Sequence, residues 1–232
     1  MPRLVNGERK IINPKPENAG KLLIFCEGST EYNYLDYFRQ YIHNNLHVKY
    51  SDIVIEPINA EGNAMHVYNY AEQFLGKEEN ASKYLHYEKH LVFDCDAPKD
   101  IQNVITLMKT SVNKYILDYS NLLFETWLVM HFQNIEPSMD NGKRAIIRSM
   151  RDYLGITKYT TKMKAAKGTI GQILGSNGNE RIRAAIENAK LLEKHWKDKG
   201  MNIDKDIAHM NPDVAIYKLI ERLLDEIVYL CG

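Results

Sequence analysis

Cysteine is scarce in this chain: Cys26, Cys95 and Cys231 are the three in 232 residues. An odd, sparse set supplies no disulfide framework and fits reduced thiols in a cytoplasmic setting. Long apolar runs are missing as well. No window approaches the roughly 18 consecutive apolar residues of a membrane span, so no membrane partner is expected. The opening MPRLVNGERK has charges but no apolar segment of the kind a secretory leader needs. Internal repeats and low-complexity tracts are absent. Gly168, Gly171, Gly175 and Gly178 lack the Gly-Lys-Ser/Thr ending of a P-loop, which leaves ATP binding by that route without support. What is present is an ordinary globular composition, 44% hydrophobic and 26% charged. The length is about one and a half times a typical domain of ~150 residues, enough to bury a core.

Net charge is also missing, since 30 basic residues balance 30 acidic ones. The balance hides a segregation. Residues 22–140 carry seventeen acidic and eight basic side chains, whereas 141–199 carry fourteen basic and five acidic. Two readings stay open. The halves attract each other across a contact, or the acids hold a cation while the basic segment grips a polyanion.

Residues 1–20 contain Pro2, Pro14, Pro16 and Gly20 without a clean period and read as an irregular arm. LLIFC (22–26), IVIEPI (53–58), HLVFD (90–94) and KYIL (114–117) read as strands. Helices are predicted from Thr30, with Tyr34, Leu35, Phe38, Tyr41 and Ile42 on one face, then over 65–75, 101–109 and 122–132. This alternation predicts an α/β layer with a mostly parallel sheet flanked by helices. Beyond Asn141 helices are predicted over 143–153, 180–197 and 213–230, the last with Asn211 as cap and Pro212 at its first position. Residues 158–180 read as a basic loop with one short helical turn. The expected organisation is an arm (1–20), an α/β catalytic core (21–140) and a mainly helical basic extension (141–232).

Ligands of parallel sheets bind outside the carboxyl ends of the strands, and two strands here end in acids. The first runs into Glu27-Gly28-Ser29-Thr30-Glu31, the third into Asp94-Cys95-Asp96. Alternation along an extended chain would aim Asp94 and Asp96 at one ion. Gly28 permits a sharp turn and close approach of a phosphate. Glu27, Glu31, Asp94 and Asp96 form an all-oxygen set suited to Mg²⁺ or Mn²⁺, the usual arrangement for phosphoryl chemistry. Taken singly, each acid could merely cap a helix or solvate a strand end; four at two strand termini favour a metal site.

Glu27-Gly28-x-x-Glu31 followed by Asp94-x-Asp96 resembles the Toprim pattern of topoisomerases, primases and OLD-type nucleases. The closer resemblance is to RloB-like proteins, which are Toprim-related and associated with phage defence. It includes the strand into Cys26-Glu27-Gly28 with Thr30, Glu31 and Tyr34 after it. It also includes Ser120-Asn121-Leu122-Leu123-Phe124-Glu125-Thr126-Trp127, with His131 and Phe132 beyond. Ala184, Ala185, Asn188, Ala189 and Asn211-Pro212 look like the family's tail, so the resemblance covers most of 22–228. It implies a Toprim-like core and a metal-dependent nuclease. Glu27 would bind metal or transfer a proton, Asp94 and Asp96 would bind metal, Glu31 would be the second glutamate and Glu125 a fifth carboxylate. A catalytic lysine has three candidates: Lys162, Lys164 and Lys167.

Lys158, Lys162, Lys164 and Lys167, interleaved with Tyr159 and Met163, suit a phosphate-gripping loop; a solvated basic loop is the plain alternative. Expected partners are nucleic acid, RNA (tRNA included) or DNA, together with other defence-system proteins. His131 reads as a satisfied core histidine, and His86 with His90 as an improbable metal pair. Glu61-Gly62 repeats the Glu-Gly pair without a strand before it and is set aside as a decoy. Cys26 and Cys95 read as small apolar packing groups. Two rival functions remain open: a catalytically silent nucleic-acid-binding or regulatory protein, and a small-phosphate hydrolase or nucleotidyl-transfer enzyme.

Overall fold

Short apolar runs form the strands, and the computed structural model describes residues 20–45, 51–57, 63–96, 98–164, 166–175 and 178–231. Gly20 apart, the arm expected over 1–20 lies outside the described residues, as does Glu61-Gly62. The first half of the chain runs β1 (Lys21–Cys26), α1 (Ser29–Asn45), β2 (Asp52–Pro57), α2 (Ala64–Leu75), α3 (Glu78–Lys83), β3 (Glu88–Asp94), α4 (Pro98–Thr110), β4 (Tyr115–Asn121) and α5 (Phe124–Val129). The rest runs α6 (Lys143–Leu154), α7 (Thr161–Lys164), α8 (Lys167–Leu174), α9 (Gly178–Asp198), α10 (Ile203–Asp206), β5 (Asp213–Val214) and α11 (Tyr217–Cys231). The sheet order is β2-β1-β3-β4-β5, with the first four strands parallel and β5 antiparallel to β4. This is the mixed α/β, mostly parallel layer that a Toprim-like core requires. Among the described residues no helix is long and apolar enough to cross a membrane.

The inner strands are buried on both faces, which is why they read as unbroken apolar runs. Leu22, Ile24 and Cys26 of β1 point into one core; Leu23 and Phe25 point into the other. The first core is closed by Tyr34, Leu35, Phe38 and Ile42 of α1 and by Ile220, Leu223, Leu224 and Ile227 of α11. The second is closed by Val67, Ala71 and Leu75 of α2 and by Ile101, Val104 and Ile105 of α4. Each such fully buried aliphatic side chain contributes roughly 1.5–3 kcal/mol of transfer free energy.

Strand order reverses between β1 and β3. The helix leaving β1 packs on the α11 side of the sheet, and the helix leaving β3 packs on the opposite side. Their separation opens a crevice at the carboxyl ends of β1 and β3, the switch point where doubly wound sheets bind ligands.

Three expected elements are corrected. The helix predicted over 122–132 is only α5, because the chain stays in the sheet to Asn121, which pairs with Asp213. The loop predicted over 158–180 holds α7 and α8, and Ile170, Ile173 and Leu174 of α8 are buried in the first core. Burial there outweighs a weak local pattern. The last helix begins at Tyr217 rather than Asp213, since Asp213 and Val214 are taken up as the sheet's antiparallel edge. Helices α3 and α10 carried no clear signal.

Candidate metal-dependent active site

Adjacent parallel strands end side by side, and Cys26 of β1 is in register with Val92 of β3. The Glu27 amide donates to the Val92 carbonyl (3.0 Å), and the Asp94 amide donates to Glu27 Oε2 (3.0 Å). Glu27 is therefore pinned across the end of β3. Glu31 lies in the first turn of α1 and is buried. A Cβ built on Gly28 would stand 2.7 Å from Glu31 Oε2, so glycine is the residue that lets this carboxylate fold back over the strand-to-helix turn. The space expected to admit a phosphate at Gly28 is thus filled by a side chain.

Glu125 joins from the first turn of α5 and is 2% exposed. Its Oε1 is 2.6 Å from the Lys164 ammonium, which arrives from α7. Asp94 closes the set. Its Oδ1 is buried without a hydrogen-bond partner among the described residues, and so is Oγ of Ser120, its register neighbour on β4.

Burial pushes the Glu27 carboxyl up to about 7, with the nearby Asp96 adding to the shift against the Asp94 amide and Lys143. Burial, then the charges of Glu125 and Glu27, also holds Glu31 above the usual carboxylate range. Asp94 rises well above it, through burial first and then Glu31, Glu125 and Glu27. Lys164 opposes the shift of both Glu31 and Asp94. A buried cluster of one sign, short of positive charge, is a functional-site signature.

The remaining expected site residues are placed less centrally. β3 stops at Asp94, so the alternation that would have aligned Asp96 with it no longer applies. Asp96 is 41% exposed at the rim and pairs with Lys143 at 2.9 Å. Lys158 and Lys162 are exposed. Lys167 reaches Asp36 (2.8 Å), a carboxylate that also accepts from Arg39 and Gln40. Of the three candidates for a catalytic lysine, Lys164 is the one that meets the acid cluster. The first reading of the charge segregation holds, since Lys143, Lys164 and Lys167 of the basic segment pair with acids of the first half.

Sequence reasoning missed Tyr159 as a site neighbour. Its hydroxyl is buried without a hydrogen-bond partner among the described residues, and Lys164 lies 5.5 Å from its ring centroid. Burial and then the charges of Glu125 and Glu31 push its phenol up. His131 and His90 are held by neighbouring side chains and backbone. His131 Nδ1 donates to the Trp127 carbonyl (3.0 Å), which leaves Nε2 to accept from the Tyr34 hydroxyl (2.8 Å). Burial pushes His131 down to about 4, so the ring is neutral. Burial alone would lower His90 too, but Asp118 (2.6 Å) and Glu88 (2.8 Å) bring it up to about 9. Cys26 and Cys95 are buried, and burial followed by the neighbouring acids raises both thiols.

The chemistry of the donor set fits a hard divalent cation: carboxylate oxygens only, with a buried, unpartnered Asp94 Oδ1 facing them. Among the described residues no group of three or more His, Cys, Asp or Glu side chains is already arranged to hold an ion. The cation facing the cluster is the Lys164 ammonium. Two cavities, of about 300 and 420 Å³, lie elsewhere, beside Tyr119 and Trp196 and beside Ile105 and Tyr115, and neither includes an acid of the cluster.

No curated protein and no solved structure matches the chain. A family model, described as RloB-like protein, matches residues 22–223, a span that holds both faces of the sheet and every acid of the crevice. By that extent of match the chain belongs to the RloB-like family.

Proposed function

We propose that the protein is a Mg²⁺- or Mn²⁺-dependent Toprim-type nuclease that hydrolyses phosphodiester bonds of RNA (tRNA included) or DNA in antiviral defence. One observation carries the reading: Glu27, Glu31, Asp94 and Glu125 gather at the sheet's switch point, Glu31 and Glu125 buried and Glu27 and Asp94 half-buried, with Lys164 as the positive partner of Glu125. Repulsion among them is relieved by a cation, and a bound divalent ion would neutralise charge on the phosphate and lower the pKa of a coordinated water. Asp94, Glu31 and Glu125 would hold the ion. Glu27, fixed by the Asp94 amide and titrating near neutrality, is suited to move a proton at its free oxygen. Asp96 and Lys143 form the rim. Lys158 and Lys162 are free to meet phosphates of the strand.

The test is cleavage of a mixed RNA and DNA panel with and without divalent ions, with Glu27→Gln and Asp94→Asn alongside. Divalent-dependent cleavage by the parent and loss by both variants is the expected result; undiminished cutting by either variant refutes the assignment. A second reading, a catalytically silent nucleic-acid-binding or regulatory protein, draws on the absence of a ready-made ion site among the described residues. Binding without turnover that is indifferent to chelator identifies it.

A further inference from the structure

Three observations meet at one side chain. Lys164 is the cation in contact with Glu125, and its charge also acts on Glu31 and Asp94. Asp94 Oδ1 and Ser120 Oγ, neighbours on adjacent strand ends, are buried without hydrogen-bond partners among the described residues, and the acids are not arranged around an ion. Lys164 ends a helix of four residues on a flexible four-carbon stem and is 34% exposed, so it can swing outward without unfolding the core.

We propose that Lys164 is a resident counter-ion that a divalent cation displaces from the acid cluster, and that the displaced ammonium then binds a phosphate of the nucleic acid. The proposal rests on the nuclease reading for its premise that the cluster takes a divalent ion. Two cations cannot both occupy the approach to Glu125, so lysine and metal compete. A polyanion offers the lysine a second partner and removes the competitor. Metal and nucleic acid therefore bind with positive coupling, and by linkage each tightens the other by the same factor. An idle site stays neutralised and poor in metal until substrate arrives.

The experiment is calorimetric titration of the full chain with Mn²⁺, alone and with a short phosphorothioate oligonucleotide. For the parent, the oligonucleotide should tighten Mn²⁺ about tenfold, the usual range of coupling between sites. Lys164→Met should bind Mn²⁺ about tenfold tighter than the parent without oligonucleotide, and addition of oligonucleotide should then change little. Lys164→Arg should keep the parental pattern. Equal or weaker Mn²⁺ binding by Lys164→Met overturns the proposal while leaving the nuclease reading intact. Failure of the parent to take up Mn²⁺ in either condition overturns both. A measurement on the parent alone guards against a misfolded variant: reductive methylation read by peptide mass spectrometry. Lys164 labelling should rise on adding Mn²⁺ while Lys158 and Lys162 stay constant, and an unchanged Lys164 rate overturns the exchange.

Discussion

Raising the pH should weaken this fold through Glu27, and the size of the effect follows from where the carboxyl sits. In the unfolded chain Glu27 titrates near 4.5, and in the folded protein near 7. Between these values the folded state binds more protons than the unfolded one, so stability falls as pH rises through the window. A shift of about 2.5 units corresponds to at most ~3.4 kcal/mol at 1.36 kcal/mol per unit. Glu27 is only partly buried, and solvent screening reduces this to about 1–2 kcal/mol. Urea unfolding of the metal-free parent and of Glu27→Gln at pH 4.5 and 7.5 measures it. The parent should lose about 1–2 kcal/mol more than the variant across the window. His90, held near 9, also sheds stability, but from about 6.5 upward as it loses its proton, and equally in both proteins. Glu31 and Asp94 feel the charge of Glu27, so the difference reports Glu27 together with its coupling to them. Parallel curves for parent and variant, or a smaller loss in the parent, would refute the electrostatic account.

Gly28→Ala forces the Glu31 carboxylate to move from a 2.7 Å approach without placing the backbone in a left-handed conformation. Its thermal midpoint should change by no more than a few degrees while cleavage falls at least about tenfold, as read by melting curves and a nuclease assay. Tyr34→Phe leaves His131 Nε2 without its partner inside the core; denaturant unfolding should show a loss of about 1–3 kcal/mol. Lys158→Glu with Lys162→Glu should leave the melting temperature unchanged, weaken oligonucleotide binding and flatten its log-log salt dependence by about one per removed phosphate contact.

The acids of the crevice were legible because a buried parallel strand leaves an unbroken apolar run, and the residue after the run stands at the ligand-binding edge. Glu27 and Asp94 follow LLIFC and HLVF directly. Glu31 was legible as the end of the segment that follows β1 and as the second glutamate of the resemblance. Glu125 came from the family resemblance, not from periodicity, and the expected helix around it began too early. Leu122 and Leu123 prolong the apolar run of 124–130, and local pattern cannot tell a strand-to-helix junction from a longer helix. Lysine 164 could be named as a candidate but not chosen over Lys162 and Lys167. Its contact with Glu125 is long-range, and the neighbouring α8 owes its form to burial of Ile170, Ile173 and Leu174 rather than to local signal. Asp96 shows the opposite failure: a period of two was extended past the last residue of the strand.

The charged set of the crevice is gathered from points as far apart as the end of β1 and the end of α7. A ribosome that has released only the first half of the chain has released the acids but not the lysine that neutralises them. The half-made protein should thus be held back from compaction at this crevice, which becomes whole only once the basic segment emerges. Were the chain to cut nucleic acids as proposed, completion so late would act as a safeguard written into the order of translation.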